Sequence, residues 1–343
     1  MGYDSNTKQV YVSNLNTSGT ECTLYYDETE LLKEAILSNR TVQTRSFPIT
    51  TSTTVTGTNG LGDIYSATDD DGTTYYFAGN PDDNWVSFAN QYWRIIRING
   101  NGSIRLIYSG DSESGPSTTG TDTQYITSRF NNSYSASYYV GLKYSNSQHG
   151  NDTNSAILEV LDTWYEDNID GTQYEQYIST ETGFCGDREM ENGYSWSAIP
   201  SSSIYYAGYG RLIRNTNSVT PTFECTNSSD YYTVSGASSG NRALTYPIGL
   251  ITADEAVFGG LAYSEATTDN YLYTGQDYWT MTPLYFNTYN TYPARVFFVY
   301  SLGNLNPPSL LTTYGVRPVL NLDANVEITG SGTSTDPYTV VGI

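Results

Sequence analysis

The chain has 343 residues and a formal net charge of −21, from 36 acidic against 15 basic side chains. A field of that sign repels nucleic acid and anionic membrane surfaces, which argues against both as partners. No apolar run approaches the ~18 residues of a membrane span. Tyr, with 34 copies, stands out beside abundant Thr, Ser, Asn and Gly, a composition that favours strands and turns over long helices.

Residues 1–60 read as a small N-terminal unit. Val10-Tyr11-Val12 is strand-like and leads to Cys22-Thr23-Leu24-Tyr25-Tyr26. Glu28 to Leu37 has helical spacing of Leu, Ala and Ile with acids in its first turn. The uncharged run from Thr50 to Thr58 reads as an extended linker or an edge strand. Between Gly62 and Tyr108 the pattern predicts four strands: Thr73–Gly79, Asn84–Phe88, Tyr92–Ile98 and Ser103–Tyr108. The Asn99-Gly100 pair between the last two marks a hairpin. Partial alternation at Arg94-Ile95-Ile96-Arg97-Ile98 predicts a sheet with one wetter face.

A polar connector over 109–150 precedes the strongest helix signal, Asn154–Tyr165. There Ile157, Leu158, Leu161, Trp164 and Tyr165 share a face, and Asp152 or Thr153 can cap. Tyr246–Ile251 reads as a strand. Thr252-Ala253-Asp254-Glu255 is a capping-box signature opening a short helix to Phe258. Further strands are predicted at Tyr271–Tyr273, Trp279–Met281, Ala294–Tyr300 and Val316–Leu322, with a terminal hairpin in 324–343.

Several of these segments, taken in order, carry a resemblance. Tyr92-Trp93-Arg94-Ile95-Ile96-Arg97-Ile98-Asn99-Gly100, the strand-turn-helix at Leu250–Phe258, Tyr278-Trp279-Thr280, Arg295-Val296-Phe297 and Gly315-Val316-Arg317-Pro318-Val319-Leu320 resemble a family of large surface proteins from gut Firmicutes. They are also similar to the C-type-lectin-like fold shared with formylglycine-generating-enzyme-type domains. The resemblance covers about residues 62–323. It implies an α+β, β-rich, C-type-lectin-like domain over 61–323, with the N-terminal unit in 1–60 and the hairpin in 324–343. In one branch, the variable proteins of diversity-generating retroelements, the loop-rich face accepts heavy sequence variation, and the Tyr-Asn-rich insert here falls where those proteins vary. The chain departs from the enzymes in having no recognisable redox cysteine pair. It departs from calcium-dependent lectins in lacking Glu-Pro-Asn and Gln-Pro-Asp.

Candidate chemistry is sparse. No C-x-x-C zinc spacing exists among Cys22, Cys185 and Cys225. In an oxidising compartment Cys185 and Cys225 pair and leave Cys22 free or bonded between chains; otherwise all three are thiols. The lone His149 sits in a polar loop with no Gly-x-Ser-x-Gly elbow elsewhere, so it reads as a surface residue. Asp69-Asp70-Asp71 and Asp82-Asp83 fit no EF-hand and read as turns. Asp187-Arg188-Glu189 and Arg317 read as structural, and six Asn-x-Ser/Thr sequons, Asn131 among them, admit glycosylation.

What remains is a paratope-like segment. Tyr supplies rigid contact area, and Asn and Ser supply adaptable hydrogen bonds. Its ligand-binding candidates are Tyr285, Phe286, Asn287, Tyr289, Asn290 and Tyr292, followed by Tyr300, Asn304 and Asn306. The expectation is a non-enzymatic binding protein, extracellular or on the cell surface, that needs no metal or cofactor and takes a protein or glycan ligand. The alternative is a structural subunit that self-associates into a filament, fibre or surface layer.

Overall fold

The computed structural model describes residues 2–4, 9–11, 29–38, 40–48, 64–263, 265–306 and 308–343; Cys22 and the Thr50–Thr58 run lie outside them. Glu30–Leu31 (β1) opens the helix Leu32–Leu37 (α1). Val42–Thr44 (β2), Ile64–Asp69 (β3), Gly72–Tyr76 (β4), Trp85–Phe88 (β5), Gln91–Ile98 (β6) and Ile104–Asp111 (β7) follow. Next come Ile126–Arg129 (β8), the helix Ala156–Asn168 (α2), Ile204–Tyr205 (β9) and the short helices Ala207–Leu212 (α3) and Ala253–Phe258 (α4). The last strands are Tyr278–Phe286 (β10), Ala294–Tyr300 (β11), Asn304–Asn306 (β12), Thr313–Val316 (β13), Val319–Leu322 (β14), Glu327–Thr329 (β15) and Tyr338–Val340 (β16). With 31% of residues in strands and 14% in helices, the protein is β-rich α+β.

Strand β6 organises the larger sheet. Strand β7 runs antiparallel along one edge of it, and β14 adds beyond β7. The other edge is shared: β5 pairs with Gln91–Arg94, and β4 pairs with Arg97–Ile98. From β4 the sheet continues through β3 to β2, and from β5 through β16 and β15 to β1. The Asn99-Gly100 turn closes as its sequence predicts. Asn99 N–H donates to Ser103 O at 2.8 Å, and Gly102 takes the left-handed φ of 88° that a side chain disfavours. A second sheet runs β8-β13-β10-β11-β12, with β9 also on β10.

Most buried hydrophobic residues form one large cluster that draws on both sheets, and Tyr76, Ala78, Phe223 and Phe258 form a smaller one of their own. Trp93 meets Tyr108 at 5.9 Å and Trp164 of α2 at 5.6 Å, each edge to face, and Phe130 meets Trp279 at 5.6 Å. Such pairs add about 0.5–1.5 kcal/mol beyond the area they bury.

Several expectations need correction. The wetter face at Arg94–Ile98 does not exist, because Trp93 to Ile98 are all buried. Arg94 donates to Asn84 Oδ1 and Pro81 O, both at 2.6 Å, instead of meeting water. Helix α2 is capped by Ser155, whose hydroxyl accepts from Leu158 N–H at 3.4 Å, and not by Asp152 or Thr153. Tyr271–Tyr273 is a turn: Asn270 Oδ1 accepts from Leu272 N–H at 2.9 Å, and its amide donates to Gly259 O at 2.8 Å. Tyr246–Ile251 contributes one bridge, Gly249 to Val319. Residues 324–343 form the expected hairpin, but β16 lies in the larger sheet against β5. Strands β1 and β2 also belong to that sheet. The capping box at Thr252 is present, with Glu255 Oε2 accepting from Thr252 N–H at 2.9 Å.

Candidate functional site

Strand β10 runs on through Phe286 and β11 begins at Ala294, so the predicted insert is mostly hairpin and only residues 287–293 turn. The period of two along a strand then sorts its side chains. Leu284 and Phe286 are buried, Phe286 at 4% exposure, while Tyr285 between them is half-buried. Phe286 is thus a core residue, which removes it from the ligand face. Asn287 shapes the turn. Its N–H donates to Pro293 O at 2.9 Å, and its Oδ1 accepts from Tyr289 N–H at 3.0 Å and from the Ser203 hydroxyl at 3.2 Å. Tyr289 is 90% exposed and Tyr292 is 41% exposed, with the Tyr292 ring set edgewise on Tyr134 at 5.1 Å. Asn290 is half-buried in the same turn.

The remaining candidates lie elsewhere. Tyr300 and Asn304 pair across the β11–β12 hairpin, and Asn306 is at the end of β12. All three are half-buried. The length of β11, seven residues or about 20 Å, separates them from the 287–293 turn. The predicted site is therefore two groups, one at each end of β11.

The turn acquires neighbours that the sequence did not announce. Strand β9 pairs Ile204 with Phe286 and Tyr205 with Tyr285. The Tyr205 ring centroid lies 5.8 Å from that of Tyr285, 4.3 Å from Tyr209 on α3 and 5.0 Å from Tyr194. The Arg295 guanidinium is 5.9 Å from the Tyr285 ring. Burial pushes the Tyr285 and Tyr209 phenols above their ordinary pKa, which keeps them neutral donors and acceptors. Tyr194, Tyr205, Tyr209 and Tyr285 form one aromatic group from two distant stretches of chain, and Tyr289 and Tyr292 lie in the turn that follows it.

A second concavity is charged. Arg97 Nη1 is 2.6 Å from Asp69 Oδ2, and Arg97 Nε is 3.3 Å from Glu255 Oε1. Arg105 Nε is 2.5 Å from the same Glu255 oxygen. Arg211 joins Asp187 at 2.5 Å and Asp254 at 3.0 Å. Phe223 covers the Arg97 guanidinium at 4.6 Å, and the Cys185–Cys225 disulfide holds that loop beside the cleft. Asp70, read from sequence as a turn residue, accepts from Cys225 N–H at 2.9 Å. Burial raises the Asp70, Asp71 and Asp187 carboxyls above the usual range. The free volume is about 30 Å³, room for roughly two water molecules. Its three Arg groups are each paired with a carboxylate of Asp69, Asp187, Asp254 or Glu255, and these pairs tie β3, β6, β7, α3 and α4 together.

His149 is not in a loose loop. Its Nδ1 is 3.0 Å from Asp230 Oδ2, and that hydrogen bond raises the imidazole pKa. Asp230 is fully buried and pairs with Arg188 at 2.7 Å. The other ring nitrogen faces the Asn227 amide at 3.4 Å and Glu189 Oε1 at 3.7 Å, so among the described residues no hydroxyl nucleophile is bonded to it as a triad needs. Arg317, likewise buried, donates to Tyr108 O at 2.9 Å. Asn131 is buried at 2% exposure, which leaves its sequon inaccessible in the folded chain. Among the described residues, no three His, Cys, Asp or Glu side chains are arranged to hold a metal ion, and no helix is long and apolar enough to cross a membrane. Comparison with known proteins adds no constraint: no family model, curated protein or solved structure matches the chain.

Proposed function

We propose that this chain is a non-enzymatic binding protein of the extracellular space or cell surface, and that its ligand, a protein or glycan, rests on the tyrosine face. One observation carries the reading. Tyr205 is held ring to ring with Tyr209 and with Tyr285, while Tyr289 and Tyr292, in the turn that follows Tyr285, are exposed. Rigid phenols, with the polar Asn290 nearby, offer contact area at low ordering cost. The C-type-lectin-like assignment belongs to this proposal and rests on the sequence resemblance. The test is a glycan array and an extracellular-protein panel, probed with the wild-type chain and with the combined Tyr285→Ala, Tyr289→Ala, Tyr292→Ala variant. The expected result is at least one saturable hit that the variant loses while its thermal unfolding midpoint stays near wild type. Hits retained by the folded variant would remove the face from the function.

The filament reading keeps one specific support. Among the described residues, strand β8 ends the second sheet and pairs on one side only, with β13, and Ile126 on it is 48% exposed. An open edge with an exposed Ile invites strand addition. Ordered polymers by negative-stain electron microscopy that Ile126→Lys abolishes would establish it; a monomeric wild type by light scattering would dismiss it.

A further inference from the structure

An open cleft of about 340 Å³, lined by none of the tyrosine-face residues, lies between the end of the β6–β7 ladder, helix α2 and the Thr121–Thr123 turn, within the size range of small-molecule sites. Its walls are fixed. Gln91 and Asp111 are cross-strand partners at the ladder end, and the Gln91 amide reaches Asn168 Oδ1 on α2 at 3.4 Å. Tyr108 is only 3% exposed and its ring is held edgewise on Trp93, which in turn holds Trp164. No protein group among the described residues hydrogen-bonds the Tyr108 hydroxyl, which borders the cavity beside Asp111, Asp122 and Tyr125. The ring is buried while the residue lines the cleft, so the hydroxyl is open to a partner there.

The charges here differ from those of the Arg-lined cleft. Asp111 Oδ1 is pinned by the Ser114 and Glu113 N–H groups at 2.8 and 3.0 Å and by the Ser114 hydroxyl at 2.9 Å. Those bonds hold the carboxyl below its usual pKa, hence ionised. Neither Asp111 nor Asp122 makes a salt bridge among the described residues, and no Lys or Arg lines the cavity. Arg317, which acts on Tyr108, is engaged by the Tyr108 carbonyl and the Tyr278 ring, at 4.8 Å, and is not part of the wall.

We propose that this cavity binds the primary ammonium end of an alkylamine, with Asp111, Asp122 and the Tyr108 oxygen accepting its three N–H bonds. An ammonium group has three donors and no acceptor, which matches three acceptors and two uncompensated charges. The half-exposed Tyr125 ring at the mouth, 38% exposed, offers a face to the cation and its methylene stem. An anion meets two carboxylates and a chain of net charge −21, and a neutral polyol leaves both carboxylates without a counter-charge. The amine can come from a free diamine or from a lysyl side chain; the chemistry at the site is the same.

Calorimetric titration of the full chain tests this in buffered saline, where a Debye length of about 8 Å screens the general field. The probes are putrescine, Nα-acetyl-lysine methylamide and, as the uncharged isostere, butane-1,4-diol. One-to-one binding of either amine is expected, with no response to the diol. Tyr108→Phe, which keeps the ring on Trp93, and Asp111→Asn should each weaken it about tenfold or more, whereas Tyr289→Ala should leave it unchanged. Tighter binding of the lysine derivative points to a partner's lysyl side chain, and tighter binding of putrescine points to a free diamine. The proposal falls if neither amine saturates by ~10 mM, if the diol binds as well as putrescine, or if Tyr108→Phe binds amine like wild type. The tyrosine-face reading is untouched by any of these results.

Discussion

The charged cleft and the tyrosine face both gather polar side chains and do opposite things with them. In the cleft, Arg97, Arg105 and Arg211 and the carboxylates of Asp69, Asp187, Asp254 and Glu255 satisfy one another, and space for about two waters remains. On the face, the Tyr205 ring packs on those of Tyr209 and Tyr285, while Tyr289 stands almost wholly in solvent. Groups whose bonding is complete within the fold have little to offer a ligand. Those supported on one side and open on the other are prepared to meet one. Polarity alone does not separate a structural cluster from a binding surface; the state of its partners does.

Three measurements would break or sharpen that contrast. Glu255→Ala should have the largest effect. It removes the carboxylate shared by Arg97 and Arg105 and one half of the α4 capping box, and leaving a buried charge unpaired costs about 3–5 kcal/mol. Urea unfolding reads this directly, and a loss below ~1 kcal/mol would mean the cleft is not a structural lattice. Reducing the Cys185–Cys225 bond comes close behind: opening a 40-residue loop should lower stability by about 4 kcal/mol in the chain-entropy account, read by the same unfolding curve with and without reductant. Tyr289→Ala should be smallest, within about 0.5 kcal/mol of wild type. A larger loss would show that this exposed ring supports the fold and would weaken the contrast from the other side.

Much of the frame was legible because its signals are local. The Asn99-Gly100 hairpin and the Thr252–Glu255 box are written in adjacent residues, and both appear at those positions. Where the reading failed, distant partners decided. Alternation at Arg94–Ile98 suggests a wet face until Glu255 and Asp69 arrive to pair with Arg97 from elsewhere in the chain. The stretch around Tyr271 has strand-forming residues, but the Asn270 side chain supplies bonds that bend it into a turn. The same holds for the candidate site. Tyr285, Tyr289 and Tyr292 drew attention by their density, whereas Tyr194, Tyr205 and Tyr209 became part of the face only through the pairing of β9 with β10, which no local pattern encodes. Phe286 was included for its type and excluded by its place in the alternation. Cavity-lining Tyr108 looked like one more strand residue, because nothing in sequence reveals that a hydroxyl lacks a partner.

The parallel seating of β16 on β5 also governs how this molecule comes into being. Tyr338 lies opposite Val86, so the larger sheet is completed by a strand that most of the chain separates from its neighbour. Contacts of such separation carry the loop-closure entropy of the intervening chain. Until the segment around Val340 joins, β5 keeps an unfilled edge and Trp85 lacks the Gly332 carbonyl that its N–H meets at 2.8 Å. A sheet closed across that separation raises the contact order of the fold, and the expected outcome is slow refolding, read by a refolding time course from urea.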